Sequence, residues 1–137
     1  MADAIDDFDD TRKELYLFKM LFACARGNLQ VMQQMVRLGA SVNAGDYDSR
    51  TPIMLAAAAG SFDIVRWLVE NGADVNARDR FGHTAIDDSI RLGHKNVTSF
   101  LVANGANAPS SLYEGKVWFL PLSFIRSFPY FLEFFSC

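Results

Sequence analysis

The side chains of this sequence that most invite a chemical role are His83, His94, Cys24 and the adjacent pair Asp87 and Asp88. The two histidines do not have the spacing of metal ligands. Neighbouring aspartates on a helix point about 100° apart, so Asp87 and Asp88 cannot face one substrate as an acid–base pair, and we interpret them as a solvated helix start. The sequence holds no nucleophile paired with a base, no phosphate-binding glycine loop and no zinc-site spacing. We therefore expect a non-enzymatic protein with no catalytic residue, no metal and no cofactor.

The composition of the chain excludes further classes of function. Half of the residues are apolar, which is enough for a packed core, and the formal charge of −3 does not provide the basic surface that nucleic-acid binding requires. Only two cysteines are present, Cys24 and Cys137, so we expect no disulfide framework. A basic segment followed by an apolar run, which would indicate a signal peptide, does not open the chain. These features predict a cytoplasmic protein, with the nucleus as the other compatible compartment.

The first twelve residues are strongly acidic. Five aspartates and no basic residue lie in the first ten positions. Such a segment is typical of a disordered N-terminus that keeps a chain soluble, and we expect residues 1–12 to be disordered. The other interpretation is a short acidic arm for a basic partner.

An internal repeat organises the sequence that follows. Gly27, Gly60 and Gly93 are spaced by 33 residues. The same period relates three Gly-Ala pairs, at 39–40, 72–73 and 105–106, and two Val-Asn-Ala triplets, at 42–44 and 75–77. Several landmarks with one period indicate a repeat architecture, in which stacked units bury an apolar face that no unit could bury alone.

Each repeat unit is predicted to fold as helix, turn, helix and loop. In the middle unit we expect Thr51 to cap the first helix with its hydroxyl, and Pro52 suits the first helical position. Gly60 and Gly72 can adopt the left-handed conformation that ends a helix. Between these two glycines the apolar residues recur at helical spacing, whereas residues 74–82 are polar and rich in turn formers. Cys24 stands where the middle unit has Ala57, which predicts a small core residue.

The segments "TPIMLAAAAG" and "DIVRWLVENGADVNARD", at the 33-residue period, resemble the ankyrin repeat family. The resemblance covers roughly Lys13 to Ala108. It implies an all-α solenoid of stacked helix-turn-helix units with hairpin loops, in three repeats of about residues 13–45, 46–78 and 79–111. It also implies a structural hydrogen bond for His94, because the family often places histidine at the start of the second helix.

The sequence departs from the family pattern at several positions. The family usually has a histidine where the middle unit has Met54 and the third unit has Asp87. The third unit lacks the proline after Thr84, and the first unit reads Phe18-Lys19 in place of Thr-Pro. We interpret the first and third units as caps and the middle unit as the full repeat.

A finer similarity connects the chain with ankyrin segments at the C-terminal end of glutaminases. It lies in Leu21-Phe22-Ala23, in "DYDSRT", in Asp79-Arg80-Phe81 and in Asp87-Asp88. This similarity implies a regulatory or assembly segment cut from a larger enzyme. It implies no activity, since the chain contains no catalytic domain of that kind.

The family resemblance implies that the chain binds another protein, through loop tips and the exposed faces of the first helices. It implies neither a nucleic-acid partner nor a small-molecule substrate. Carried over to this sequence, the expected partner-binding residues are Tyr47, Asp48, Arg50, Met54, Arg80, Phe81, His83 and Arg91. Two structural alternatives stay open, in which Phe81 packs on the neighbouring loop and Arg50 pairs with Asp48.

The composition changes after residue 111. Residues 112–137 are rich in phenylalanine and leucine and have no place in the 33-residue period. Three interpretations are open. The segment is aberrant sequence after a truncated array, or a membrane-associated tail formed by residues 117–137, or a cover that folds back on the third unit. The second interpretation would make the protein a membrane-tethered adaptor.

Overall fold

The computed structural model describes residues 2–108, with side chains from residue 10 onward. This part of the chain forms six helices and no strand. The helices are α1 (Ala2–Arg26), α2 (Leu29–Arg37), α3 (Pro52–Ala59), α4 (Phe62–Glu70), α5 (Ala85–Arg91) and α6 (Lys95–Ala103). They pair as α1–α2, α3–α4 and α5–α6, and the first helices α1, α3 and α5 pack side by side. The predicted all-α solenoid of three helix-turn-helix units is confirmed.

The helices begin and end where local sequence signals predict. Pro52 occupies the first turn of α3, and Gly60 ends that helix with a φ of 71°, a left-handed conformation that favours glycine. Asn28 caps α2, because its side-chain oxygen accepts a hydrogen bond of 3.1 Å from the N–H of Val31. The loops before α3 and α5 are closed hairpins, in which the N–H of Asp46 and that of Asp79 each donate to the carbonyl four residues on.

The core lies between the units and is built from small side chains, branched aliphatic side chains and methionines. Ala56 and Ala57 are completely buried in α3, and small residues allow neighbouring helices to approach closely. Cys24 is also completely buried at the position of Ala57 in the first unit, so its prediction as a core residue is confirmed. Burial raises the pKa of the Cys24 thiol to about 12.

Two asparagines of the repeated Val-Asn-Ala triplet join consecutive units. The side chain of Asn43 donates to the carbonyl of Gly72 at 3.1 Å and accepts from the N–H of Asp74 at 2.7 Å. One repeat later, Asn76 makes the same two bonds to Gly105 and Asn107, at 3.0 and 2.8 Å. The backbone of each loop is thereby tied to the next unit.

The predicted cap at Thr51 is wrong. The Thr51 hydroxyl makes no cap hydrogen bond and is buried without a partner within the described part of the chain. In the third unit the hydroxyl of Thr84 instead donates to the carboxylate of Asp87 at 3.0 Å. The difference follows from the third residue of the helix, since Met54 has no oxygen at the place where Asp87 has one.

Two of the predicted domain boundaries lie near the ends of the chain, at residue 12 and at residue 111. Helix α1 begins at Ala2, so the structure gives residues 2–12 a helical conformation where we expected disorder. The predicted tail at 112–137 lies outside the described residues. Among residues 2–108, no helix combines the length and the apolar character that a membrane crossing requires.

Candidate partner-binding surface

Two aromatic side chains extend from neighbouring loops into solvent. Tyr47, in the loop before α3, is 97% exposed, and Phe81, in the loop before α5, is 69% exposed. The ring of Phe81 lies 6.3 Å from that of His83, in its own loop. The alternative in which Phe81 packs on the neighbouring loop is therefore wrong.

An aspartate holds each loop in shape from within. One oxygen of Asp46 accepts from the N–H groups of Asp48 and Arg50, both at 2.9 Å. In the next loop, one oxygen of Asp79 accepts from the N–H groups two and four residues on, at 2.8 and 2.9 Å. Burial raises the pKa of Asp79, but these N–H groups and the imidazole of His83 lower it by more, so that it lies below its ordinary value.

The two loops are also joined to each other. The N–H of Arg80 donates to the carbonyl of Asp48 at 2.8 Å, and the Arg80 guanidinium lies 3.7 Å from the Asp48 carboxylate. Asp48 thus pairs with an arginine of the next unit, and the alternative in which Arg50 pairs with Asp48 is wrong. A backbone hydrogen bond and an ion pair thus link the two loops that carry the exposed rings.

Arg50 is directed at the third unit. Its guanidinium lies 3.6 Å from the carboxylate of Asp88, which also accepts a hydrogen bond of 2.6 Å from Arg91. Asp88 is buried, so its interpretation as part of a solvated helix start is wrong. Helix α5 packs against α3, and this packing turns the Asp88 side chain towards the second unit and away from water.

The other predicted site residues are divided between surface and core. His83, Arg80 and Arg91 are exposed. Met54 is completely buried, because α3 is covered by α1 on one side and by α5 on the other. Met54 therefore cannot contact a partner, and its place among the binding residues is corrected. The structure brings Tyr47, Asp48, Arg80, Phe81 and His83 together at the loop tips.

The three helical units, with their linked loops, match a known protein family. A family model described as ankyrin repeats (3 copies) matches residues 20–111, well over half of the chain. The chain belongs to the ankyrin-repeat family. A search of curated proteins finds no match, so the finer similarity to glutaminases stays a prediction.

The histidine that begins the second helix of the third ankyrin unit has the predicted structural role. His94 Nε2 lies 2.9 Å from the carbonyl oxygen of Ala58, in the preceding unit. The imidazole also fills the space beside Gly60, where an added Cβ would come within 2.6 Å of the ring. Among the described residues, no cluster of three or more histidine, cysteine or acidic side chains could hold a metal ion.

Sequence reasoning missed a second surface of this ankyrin domain. An apolar groove of about 660 Å³ lies on α1 and α2. Its lining includes Phe18, Lys19, Phe22, Arg26, Asn28 and Val31. Phe18 and Phe22 are 64% and 61% exposed, and the Arg26 guanidinium lies 4.7 Å above the Phe22 ring. The signal that could have found this groove is the spacing of Leu15, Phe18 and Phe22 by three and four residues, which lines up one helix face.

Proposed function

We propose that this ankyrin-repeat chain is a non-catalytic interaction module that binds a partner protein through the loop-tip surface of Tyr47, Asp48, Arg80, Phe81 and His83. The observation that carries the proposal is the exposure of two aromatic rings, Tyr47 and Phe81, on loops that are bonded to each other. Ankyrin repeats are generally protein-binding modules, which fits this surface.

The two rings have the chemistry of binding anchors. Aromatic residues and arginine are the types most enriched among the residues that dominate binding energy at interfaces. Neither ring contributes to the buried core, so folding does not account for their presence at the loop tips. A partner that buries both rings would gain apolar contact area without displacing any packing of the fold.

Contacts within the chain itself hold both loops in shape. Asp46 and Asp79 hold the backbone of each loop, and Asp48 and Arg80 join the two loops. Preorganised contacts increase affinity because less conformational entropy is lost on binding. The acidic groups at the tips are thus engaged in structure, which is the basis for proposing recognition and not catalysis at this surface.

A pull-down with the tagged full chain tests the proposal. We expect wild-type protein to retain at least one cellular protein, and Tyr47→Ala/Phe81→Ala to bind it at least about tenfold more weakly when the two purified proteins are titrated. Phe18→Ala/Phe22→Ala is the matched control, because it removes two exposed aromatic rings elsewhere and should leave the dissociation constant unchanged. Arg50 is not substituted, because its guanidinium pairs with the buried carboxylate of Asp88.

Circular dichroism of both variants should equal that of the wild type, because none of the four rings belongs to the buried core. Retention of the same proteins by the loop-tip variant with unchanged affinity would contradict the proposal. So would a loss of binding that occurs only in the Phe18/Phe22 variant, since binding would then lie on α1.

A further inference from the structure

The groove on α1 and α2 is the place where another repeat unit would stack. Asp88, the counterpart of Phe22 two repeats later, pairs with Arg50 of the preceding unit. His94, the counterpart of Asn28, bonds to a backbone carbonyl that also belongs to the preceding unit. The groove therefore consists of positions that in the later units contact the unit before them.

Burial shows the same relationship. Phe18 and Lys19 are exposed, whereas their counterparts in the second and third units are buried. These counterparts are Thr51 and Thr84 for Phe18, and Pro52 and Ala85 for Lys19. Nothing in residues 2–108 covers the face, and an exposed aromatic row at the uncovered end of a stack favours a partner.

The stack itself shows which kind of element fits this face. Helix α3 is covered on the equivalent side by α1, and α5 is covered by α3. In both cases a helix lies beside the first helix of the unit. The exposed side chains of Leu15, Phe18 and Phe22 recur along α1 at a spacing of three and four residues, which is the spacing by which a helix presents an apolar face to another helix. A helix is therefore the element that this groove accommodates.

The charge around the groove selects the kind of helix. Lys19 and Arg26 belong to the lining, which contains no acidic residue. Residues 15–45 as a whole hold three basic residues and no acidic one, although the complete chain has a formal charge of −3. The basic rim is thus a local feature of the first unit, and a surface that carries carboxylates is its complement.

The two cations of the rim also lack partners in the chain. Arg80, at the loop tips, pairs with Asp48 at 3.7 Å. Among the side chains described from residue 10 onward, no carboxylate forms an ion pair with Lys19 or Arg26. The guanidinium of Arg26 lies over the Phe22 ring, at 4.7 Å from its centroid. Lys19 and Arg26 are two helical turns apart, about 10 Å along the axis, so carboxylates about seven residues apart on a second helix would match them.

Two other surfaces of this protein are poorer matches for the groove. Residues 112–137 hold two acidic and two basic residues, so they offer no net charge to the rim. The described part of the third unit, against which a second copy would stack head to tail, exposes only one large apolar side chain outside its loop, Leu92. Such stacking would leave Phe18 and Phe22 against a largely polar surface.

We propose that the groove of α1 and α2 binds an acidic amphipathic helix of a partner protein. Apolar side chains of that helix pack on Phe18, Phe22 and Val31, and two of its carboxylates, about seven residues apart, pair with Lys19 and Arg26. This inference goes beyond the proposed binding at the loop tips and does not depend on it, because the two surfaces share no residue.

Fluorescence anisotropy with two designed helical peptides tests the proposal. Each peptide has about 21 residues and carries leucines at a spacing of three and four residues. Two glutamates seven residues apart flank the leucines in one peptide, and two lysines replace them in the other. We expect the full chain to bind the glutamate peptide with a dissociation constant below about 100 μM, and the lysine peptide at least about tenfold more weakly. Added salt should reduce the difference, because the charge attraction is screened.

Two variants of the groove separate its apolar and its charged contribution. Phe18→Ala/Phe22→Ala should weaken binding of the glutamate peptide at least about tenfold. Lys19→Glu/Arg26→Glu should reverse the preference, so that the lysine peptide becomes the tighter ligand. A reversed preference cannot result from unfolding, so this variant tests the charge argument directly.

Two further variants serve as matched controls. Arg37→Glu/Arg66→Glu changes the net charge by the same amount at exposed positions outside the groove, and should keep the wild-type preference. Tyr47→Ala/Phe81→Ala should bind the glutamate peptide like the wild type. Failure of the groove proposal is therefore distinguishable from failure of the loop-tip proposal.

Several results would overturn the proposal. One is the absence of binding of the glutamate peptide at about 1 mM, and another is equal affinity for the two peptides. A third is a wild-type preference in Lys19→Glu/Arg26→Glu.

The competing occupants have their own readouts. With p-benzoylphenylalanine at position 22 of the free chain, a crosslink to residues 112–137 at monomer mass would make the chain's own tail the occupant. A crosslinked product of twice the chain mass would identify a second copy. Co-sedimentation with vesicles that contain phosphatidylserine, lost in Phe18→Ala/Phe22→Ala and without peptide binding, would assign the face to a membrane surface. Each of these three results would contradict an acidic helix as the occupant.

Discussion

The guanidinium of Arg50 lies 3.6 Å from the carboxylate of Asp88, so an arginine of the second unit forms an ion pair with a buried aspartate of the third. Arg91 shares the same carboxylate at 2.6 Å. The corresponding position in the second unit holds Leu55, which shows that an apolar side chain suits this place in the repeat.

Removal of both Arg50 and Arg91 should therefore lower the free energy of unfolding more than removal of Asp88. Arg50→Ala/Arg91→Ala leaves a buried carboxylate without a partner, and we expect it to lower the free energy of unfolding by about 3 kcal/mol. Asp88→Leu removes the charge itself and should stay within about 1 kcal/mol of the wild type. Urea unfolding followed by circular dichroism measures both, and equal losses in the two variants would contradict the expectation.

Thr51 and Thr84 occupy the same repeat position but differ in hydrogen bonding. Thr84→Val removes the bond to Asp87, and we expect a loss of about 1 kcal/mol in the free energy of unfolding. Thr51→Val removes a buried hydroxyl that has no partner in residues 2–108, so stability should be unchanged or higher. Thermal unfolding of the two variants tests this difference. A Thr51 variant as unstable as the Thr84 variant would mean that the Thr51 hydroxyl has a partner.

Gly60 and Gly93 both adopt a positive φ, at 71° and 76°, but only Gly60 faces an imidazole. Gly93→Ala meets nothing within 4 Å in the described part of the chain, so its cost is the left-handed conformation alone, about 1–2 kcal/mol. Gly60→Ala should cost more, because the new Cβ would lie 2.6 Å from the ring of His94.

A double-mutant cycle isolates that contact. In the background of His94→Ala, the cost of Gly60→Ala should fall to that of Gly93→Ala, since the ring is gone and only the backbone conformation remains. Additive losses in the Gly60/His94 double variant would show that the imidazole does not limit the side chain at position 60.

The thiol of Cys24 makes stability depend on alkaline pH. Its pKa is about 12 in the folded chain against an ordinary value of 9.0, so the folded state keeps its proton where the unfolded state loses it. This contribution to stability is complete below pH 9 and decreases as the pH rises towards 12, by about 1 kcal/mol per pH unit.

Cys24→Ala, which supplies the residue found at position 57, should remove this part of the alkaline destabilisation. Comparison of urea unfolding at pH 8 and pH 10.5, in a Cys137→Ser background, measures it. The folded protein should also resist thiol reagents at pH 8, because the neutral buried thiol is a poor nucleophile. Rapid labelling of Cys24 under native conditions would contradict its burial.

The sequence by itself determined the repeat architecture. The 33-residue period, the proline at position 52 and the helix-ending Gly60 predict helices and their ends, because these signals act between residues close in the chain. The core position of Cys24 followed from its alignment with Ala57. The hydrogen bond of His94 followed from the family resemblance. For Phe81 the sequence left open whether the ring is exposed at the loop tip or packs on the neighbouring loop, and the structure shows it exposed.

The tertiary structure alone decided how the units contact each other. Three features depend on which face of a helix meets its neighbour. They are the pairing of Arg50 with Asp88, the burial of Met54, and the Thr51 hydroxyl, which has no partner in residues 2–108. The residue type at a repeat position does not predict these contacts, since the same position holds Leu55 in one unit and the buried Asp88 in the next. The α1 groove was missed for the same reason: its residues have ordinary apolar types, and only the packed stack shows that nothing in residues 2–108 covers them.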